Sequence, residues 1–350
     1  MIKRLFSTIL TILAVTTLFS CDQDHIFYKI SQEVKPTDPR IMGGPTAIVQ
    51  LGAKLYSTSR MGGTVHVYEN DSWSRLPSPG GKILELATDN ISLFVLIGEP
   101  METTYIKKYD GTAWDEVVHG NFETIIGAGD ETSGGRIFAA TKTAVDAYDT
   151  GGLNGTMSPG ALLMGAAYLN GVYYLAVAEK GIFTYDGVKF SPSAVSGSVG
   201  KNTVGVLTVG NEVVAVTRFG EILRGDSSGF TVALSAGSYL TGGMGLWEEN
   251  GTNTLLLVGL QGYSISTVLG YREIVLEQGA LPKKPSIFKP GLHSPSTVSN
   301  ADKYDSTIGI HVVTDIAQAA DSKILFAATT KNGLWSYRFR DGSDVWNAEE

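Results

Sequence analysis

The sequence predicts an all-β fold built from repeats, and three observations carry the prediction. Short apolar runs recur: LYSTS (55–59), LFVLI (93–97), IFAAT (137–141), YYLAV (173–177), VVAVT (213–217), LLLVG (255–259) and LFAAT (325–329). Their starts lie 38, 44, 36, 40, 42 and 70 residues apart, so the chain repeats with a period near 40. Gly, Asn and Asp bound the runs, a pattern of strands and turns. Four strands in each of seven such units make a seven-bladed β-propeller of four-stranded antiparallel blades, over residues 46–350.

Each unit has the same internal order. An apolar strand precedes the aligned run, as in TAIVQL (46–51), KILELA (82–87), ETIIGA (123–128), LLMGAA (162–167), TVGVLT (203–208) and HVVTDI (311–316). A third strand follows, commonly ending in Tyr, then a tight turn and a fourth strand led by an aromatic. VHVYENDSW (65–73), YIKKYDGTAW (105–114), GIFTYDGVKF (181–190) and GLWSYRFRDGSDVW (333–346) show it. Asp-Gly predicts a two-residue hairpin turn, since it supplies the positive φ such a turn needs. Tyr, Trp and Phe suit pleated, half-buried outer strands.

Fragments such as GIFTYDG (181–187) resemble the bacterial sensor-type propeller repeat and, more loosely, kelch repeats. The resemblance covers most of residues 46–346 and implies the fold, which does not by itself give a function. Sialidase-like Asp boxes use the same hairpin with a different spacing and a preceding Ser. Lys108-Tyr109-Asp110-Gly111-Thr112-Ala113-Trp114 does not fit them and reads as a turn.

Two closures of the ring are open. Asp344–Ala348 completes the seventh blade from the C-terminal end, or Ile26–Val34 (IFYKISQEV) pairs there and fastens it. The reading favours some pairing of residues 26–31 with the last blade; the plainer reading is a solvated tether.

The N-terminus has a different character. Met1-Ile2-Lys3-Arg4 is positive, residues 5–18 are mostly apolar, and small and apolar residues lead up to Ser20, the three parts of a signal peptide over residues 1–20. The apolar run falls short of the roughly 20 residues a membrane helix needs. Cys21, the single cysteine of the chain, follows at once. Leu18-Phe19-Ser20-Cys21 resembles the lipobox of bacterial lipoproteins, departing from it at Phe19 in the manner of spirochaete-like ones. That resemblance implies cleavage before Cys21, acylation of its thiol and new amino group, and a protein held at a bacterial membrane, facing the periplasm or the exterior. Residues 21–45 are then a lipidated tether with a possible ring-closing strand. The alternative is an ordinary signal peptide with a free thiol nearby, and an unpaired thiol in a secreted chain needs explaining.

Removing residues 1–20 takes the basic residues from 27 to 25 against 35 acidic ones, a formal charge of −10. Such a chain disfavours nucleic acid as a partner. His25, His66, His119, His293 and His311 are scattered without metal-ligand spacing, and no nucleophile-elbow or phosphate-loop sequence occurs. No catalytic residue, metal or cofactor is assigned. Asp89, Glu212, Glu248 and Asp321 recur before second strands, where solvated turn acids are ordinary.

One charge pattern stands out. Arg60, Lys142, Lys180, Arg218 and Lys331 follow the second strands of five repeats, with Glu99 and Gln261 in the other two. In a propeller those turns share a face with the connections between blades. A ring of cations there would draw an anionic ligand such as a glycan, a peptidoglycan-like polymer or an acidic protein surface. The plainer reading is that wet turns tolerate Lys and Arg. The 70-residue gap contains a Pro-, Ser- and Lys-rich stretch, residues 279–307, with Lys283, Lys284, Phe288 and Lys289. It reads as a lid or partner-binding arm on the same face, or as a tolerated insertion. The function expected is a membrane-anchored binding or assembly module. The alternatives are a hydrolase or lyase acting on carbohydrate or lactone-like substrates in the central funnel, and a propeller serving as spacer.

Overall fold

A computed structural model of the chain describes residues 41, 45–59, 63–98, 102–130, 134–149, 152–158, 162–195, 199–261, 269–288, 308, 311–320, 322–338 and 346–349. The chain divides into two units, Met1–Asp38 and Pro39–Glu350, and every described residue belongs to the second. Among the described residues, 28 strands form seven antiparallel sheets of four. The blades cover residues 45–75, 83–120, 124–157, 163–192, 203–235, 240–288 and 313–348. In each, spatial order follows chain order, so the blade is a meander running from an inner to an outer strand. Inner strands of successive blades pack side by side, and that of blade seven (Val313–Gln318) returns to that of blade one (Pro45–Leu51). The protein is a seven-bladed β-propeller.

Burial explains the apolar runs. The second strands Leu93–Ile97 and Ile324–Thr329 are buried along their whole length. Neighbouring blades cover both of their faces, and that environment selects continuous apolar runs over alternation. The outer strand Trp114–Gly120, at the rim, is exposed or half-buried throughout. The core is divided among the seams. Between blades two and three, Leu84, Phe94 and Leu96 meet Phe122, Ile125 and Ile137.

Inner strands approach one another closely. A methyl group on Gly205 would lie 2.5 Å from the carbonyl oxygen of Gly242 in the next blade, closer than any side chain tolerates. Gly205 follows a register irregularity that recurs in blades two and seven, where Glu85 and Asp315 occupy the same position. There a carboxylate bridges the seam instead. The Ile125 N–H donates to Glu85 Oε2 (2.6 Å), and the Ile48 N–H donates to Asp315 Oδ2 (2.7 Å).

Asp315 therefore spans the seam at which the ring closes. Its other oxygen accepts the N–H of Ile316 at 2.9 Å. Burial pushes this carboxyl up to about 7, against the opposing pull of the two N–H groups. Around it, Ile48, Leu55, Tyr68 and Trp73 of blade one pack on Ile324, Phe326 and Leu334 of blade seven. Tyr68, Trp73 and Phe326 form a mutual aromatic trio with centroids 4.8–5.2 Å apart. Ile41, from the segment read as tether, is fully buried in the same seam. The outer strand of blade seven is Trp346–Ala348, paired with Trp335–Tyr337, so the named strands of that blade all come from the C-terminal end. The pairing expected of residues 26–31 lies outside the described residues.

Two expectations are corrected. Residues 279–307 are not a single loop: Ile287–Phe288 is the outer strand of blade six, paired with Glu273 and Ile274. Tyr271–Val275 is the third strand of that blade. The Asp-Gly hairpins also differ, since Tyr109 pairs with Trp114 and Tyr185 with Phe190, leaving four-residue loops. Asp works there as a cap: Asp110 Oδ1 accepts the N–H groups of Ala113 (2.7 Å) and Thr112 (2.6 Å), and Asp186 those of Lys189 (2.8 Å) and Val188 (3.0 Å). These bonds hold both carboxyls below the usual aspartate range. Two-residue turns built from left-handed residues occur instead at Asn70-Asp71 and Asn170-Gly171.

The raised carboxyl predicts a pH dependence. Between about pH 4 and pH 7 the folded chain binds more proton at Asp315 than the unfolded chain does. Stability therefore falls as pH rises through that window, by on the order of 4 kcal/mol, and is level above it. Asp315→Asn keeps an acceptor and cannot ionise, so it should flatten that limb of the profile in thermal unfolding at stepped pH. A variant with the wild-type slope would clear Asp315 as its source.

Candidate functional site

Meander topology brings the turns between second and third strands onto one face, together with the connections from each blade to the next. Threonines shape three of those turns. The N–H of Ala144 donates to Thr141 Oγ1 (2.9 Å), that of Glu221 to Thr217 Oγ1 (3.0 Å) and that of Asn332 to Thr329 Oγ1 (3.0 Å). A hydroxyl closing its own turn satisfies a donor that the strand ladder has released. The three aligned runs that end in Thr, namely IFAAT, VVAVT and LFAAT, carried that signal.

Four of the five predicted cations fall in described turns, in three different states. Lys142 is exposed, with its Nζ 3.7 Å from Glu123 Oε1, which lies in the connection from blade two. Lys180 is half-buried in the turn of blade four. Arg218 in blade five and Lys331 in blade seven are exposed, and their side chains form no hydrogen bond or ion pair among the described residues. Arg60, Glu99 and Lys289 lie outside the described residues. Lys283 and Lys284 belong to the connection between the third and outer strands of blade six, so they do not join the predicted ring, whereas residues 289–307 follow the outer strand. Phe288 lies in that strand.

Aromatic pairs beside the two unpaired cations were missed by the sequence reading. Phe219, next to Arg218, packs edge-on against Tyr239 with centroids 5.6 Å apart, and it is 52% exposed. Tyr239 sits in the connection to blade six, and its carbonyl accepts the Gln261 N–H at 3.0 Å. In blade seven, Trp335 stacks on His311 at 4.9 Å and donates its Nε1–H to the carbonyl of Asn332 (3.0 Å). Asn332 Nδ2 donates to His311 Nδ1 (2.6 Å). Burial lowers the pKa of His311, so the ring is neutral at pH 7 and free to accept that bond.

The turn acids are not all solvated. Asp89 is buried, its Oδ1 accepting the N–H groups of Ser92 (2.6 Å) and Ile91 (2.9 Å). Glu212 forms a two-pronged ion pair with Arg224, both contacts at 2.8 Å. The same guanidinium donates to the carbonyls of Leu281 and Pro282, both at 2.9 Å, and so ties blade six's third-to-outer connection to blade five. Glu248 is exposed, and Asp321 lies outside the described residues.

On the opposite face, a cleft of about 170 Å³ opens between blades two and three. Phe94, Ile106, Val118 and Ile137 line it, with Lys108 and Asp149 among its polar residues. Asp149 is already paired with Arg136 at 3.1 Å. Among the described residues, no three His, Cys, Asp or Glu side chains are grouped so as to hold a metal ion.

No family model and no curated protein matches the chain. Its likeness is to solved propellers. PorZ, a bacterial surface component of the type-IX secretion system of Porphyromonas gingivalis, aligns at 13% identity and TM-score 0.50 over 88% of this chain and 38% of PorZ. The chain thus spans well under half of the PorZ structure. The virginiamycin B lyase of Staphylococcus aureus aligns at 11% identity and TM-score 0.54, over 83% of this chain and 93% of the lyase. The WD40 propeller of Doa1 gives 14% identity and TM-score 0.56, over 87% and 95%. At such identities the likeness is one of fold.

The Arg224 clamp has a direct test. Arg224→Met removes the partner of Glu212 and both carbonyl contacts, a change worth about 2–4 kcal/mol for a half-buried, charge-assisted set. Trypsin should then cut after Lys283, the bond after Lys284 being blocked by Pro285, at least about tenfold faster, read by mass spectrometry under native conditions. Unchanged cutting would mean that the strand pairing alone holds the segment.

Proposed function

We propose that this chain is a lipid-anchored propeller of the bacterial cell envelope, facing the periplasm or exterior, that binds an anionic partner on its second-to-third-turn face. One observation carries the binding half of this reading: Lys142, Lys180, Arg218 and Lys331 stand in equivalent turns of four blades of a chain whose formal charge is −8. Cations gathered on one face of an acidic protein create a local field that its net charge conceals. The anchoring half rests on Leu18-Phe19-Ser20-Cys21 after a signal-like start. That PorZ, with the same fold, is a bacterial surface component is in keeping with it.

Both halves can be tested on the full chain. Cys21→Ser should abolish incorporation of labelled palmitate and move the protein out of the membrane fraction, whereas retention in membranes without label would point to another anchor. For the face, the detergent-solubilised chain is titrated with anionic polymers at rising salt, beside a variant in which Lys142, Lys180, Arg218 and Lys331 are all changed to Glu. Affinity should fall at least about tenfold between low and physiological salt and vanish in the variant. Binding indifferent to both would discard the basic face.

A further inference from the structure

We propose that the anionic partner is an acidic polysaccharide, held at two stations where an aromatic platform stands beside an unpaired cation: Phe219 and Tyr239 with Arg218, and Trp335 and His311 with Lys331. This deepens the reading above and rests on it. The coincidence of the two features is the argument. Of the four described cations in the second-to-third turns, Arg218 and Lys331 are the two with no side-chain partner among the described residues. They are also the two beside aromatic pairs.

Phe219 does not have the placement of a core aromatic, whereas Trp335 is half-buried at the edge of the core between blades six and seven, with His311 buried behind it. Phe219 leaves 52% of its surface in solvent, in a turn with no structural need for a large apolar side chain. Tyr239 supports it edge-on, and the Leu240 N–H bonds to the carbonyl of Arg218 (3.1 Å), so platform and cation share one rigid corner. At the second station, Trp335 is fixed by its indole bond to the Asn332 carbonyl and by its stack on His311, itself held by Asn332. Lys331 is the neighbour of Asn332 in the same turn. Rings immobilised before binding lose little entropy on engaging a ligand.

An aromatic face and a cation together match one chemical unit, a sugar ring bearing an acid. The C–H groups of the sugar pack on the aromatic ring by dispersion, and the carboxylate meets the guanidinium or ammonium. A bare polyanion would use the cations and leave the rings idle. An acidic protein surface would call for a contiguous apolar patch with a polar rim. Here the platforms lie on blades five and seven with blade six between them, a spacing suited to a chain-like ligand that touches down repeatedly.

The test uses the full chain in mild detergent and calorimetric titration against three uronic-acid polymers (polygalacturonate, alginate and hyaluronate), with dextran and polyglutamate alongside. Dextran offers rings without charge, and polyglutamate offers carboxylates without rings. At least one uronic polymer should bind, and more tightly than both controls. Phe219→Ala should weaken it at least tenfold, and Lys331→Met should weaken it by a similar factor. Trp335→Ala is added only if its thermal unfolding matches the wild type, since that ring also packs on His311. Polyglutamate binding as tightly as any uronic polymer, with Phe219→Ala unchanged, would overturn the sugar inference, leave the basic face standing and point to an acidic protein partner. No polymer bound at all would overturn both.

Discussion

A propeller stands or falls on the closing of its ring. Every blade is apolar on two faces, so each of the seven seams must be filled at once, and the seam between the first and last blades joins parts of the chain far apart in sequence. One cysteine allows no disulfide within the chain to fasten that seam. It is held by an aromatic trio, by Ile41 reaching in from before the first strand, and by a single carboxylate that bonds across to the backbone of blade one. Ser57 Oγ, Ser336 Oγ and Trp73 Nε1 are buried without a hydrogen-bond partner among the described residues, on strands that face this seam. Closure thus relies on apolar contact more than on polar bonding.

The narrow centre of the ring imposes a second demand. Inner strands of adjacent blades come within contact of each other's backbone, and the sequence meets this in two ways at one register position. Glycine removes the obstacle at Gly205, whereas Glu85 and Asp315 turn the approach into a hydrogen bond. The abundance of glycine is therefore only partly a matter of turns, since several glycines stand in strands where a neighbour's carbonyl occupies the space of a side chain.

The sequence made the scaffold legible because burial on both faces writes an unbroken apolar run into each second strand, and the runs recur at a steady interval. It concealed the outer strand of blade six, because two residues, Ile287 and Phe288, among prolines and lysines carry no periodicity. The Asp-Gly pairs misled for a physical reason: Asp at the head of a four-residue loop uses its carboxylate as a cap, and the dipeptide looks the same in a shorter turn. The cations of the candidate site were visible as a column at equivalent positions. Their aromatic neighbours were not, since Phe219 meets Tyr239 and Trp335 meets His311 only after the meander folds, each pair being drawn from separate stretches of the chain.

The turn closed by the Thr329 hydroxyl carries an implication for how such a surface can diverge. Its geometry is set by a residue at the end of a buried strand, through bonds to the backbone of Asn332 and Gly333. Lys331 contributes no bond to that geometry. Shape is thus inherited from the strand, while the letters displayed at the tip are free to drift. A lineage could exchange what this face recognises, one substitution at a time, without reworking the barrel of blades that supports it.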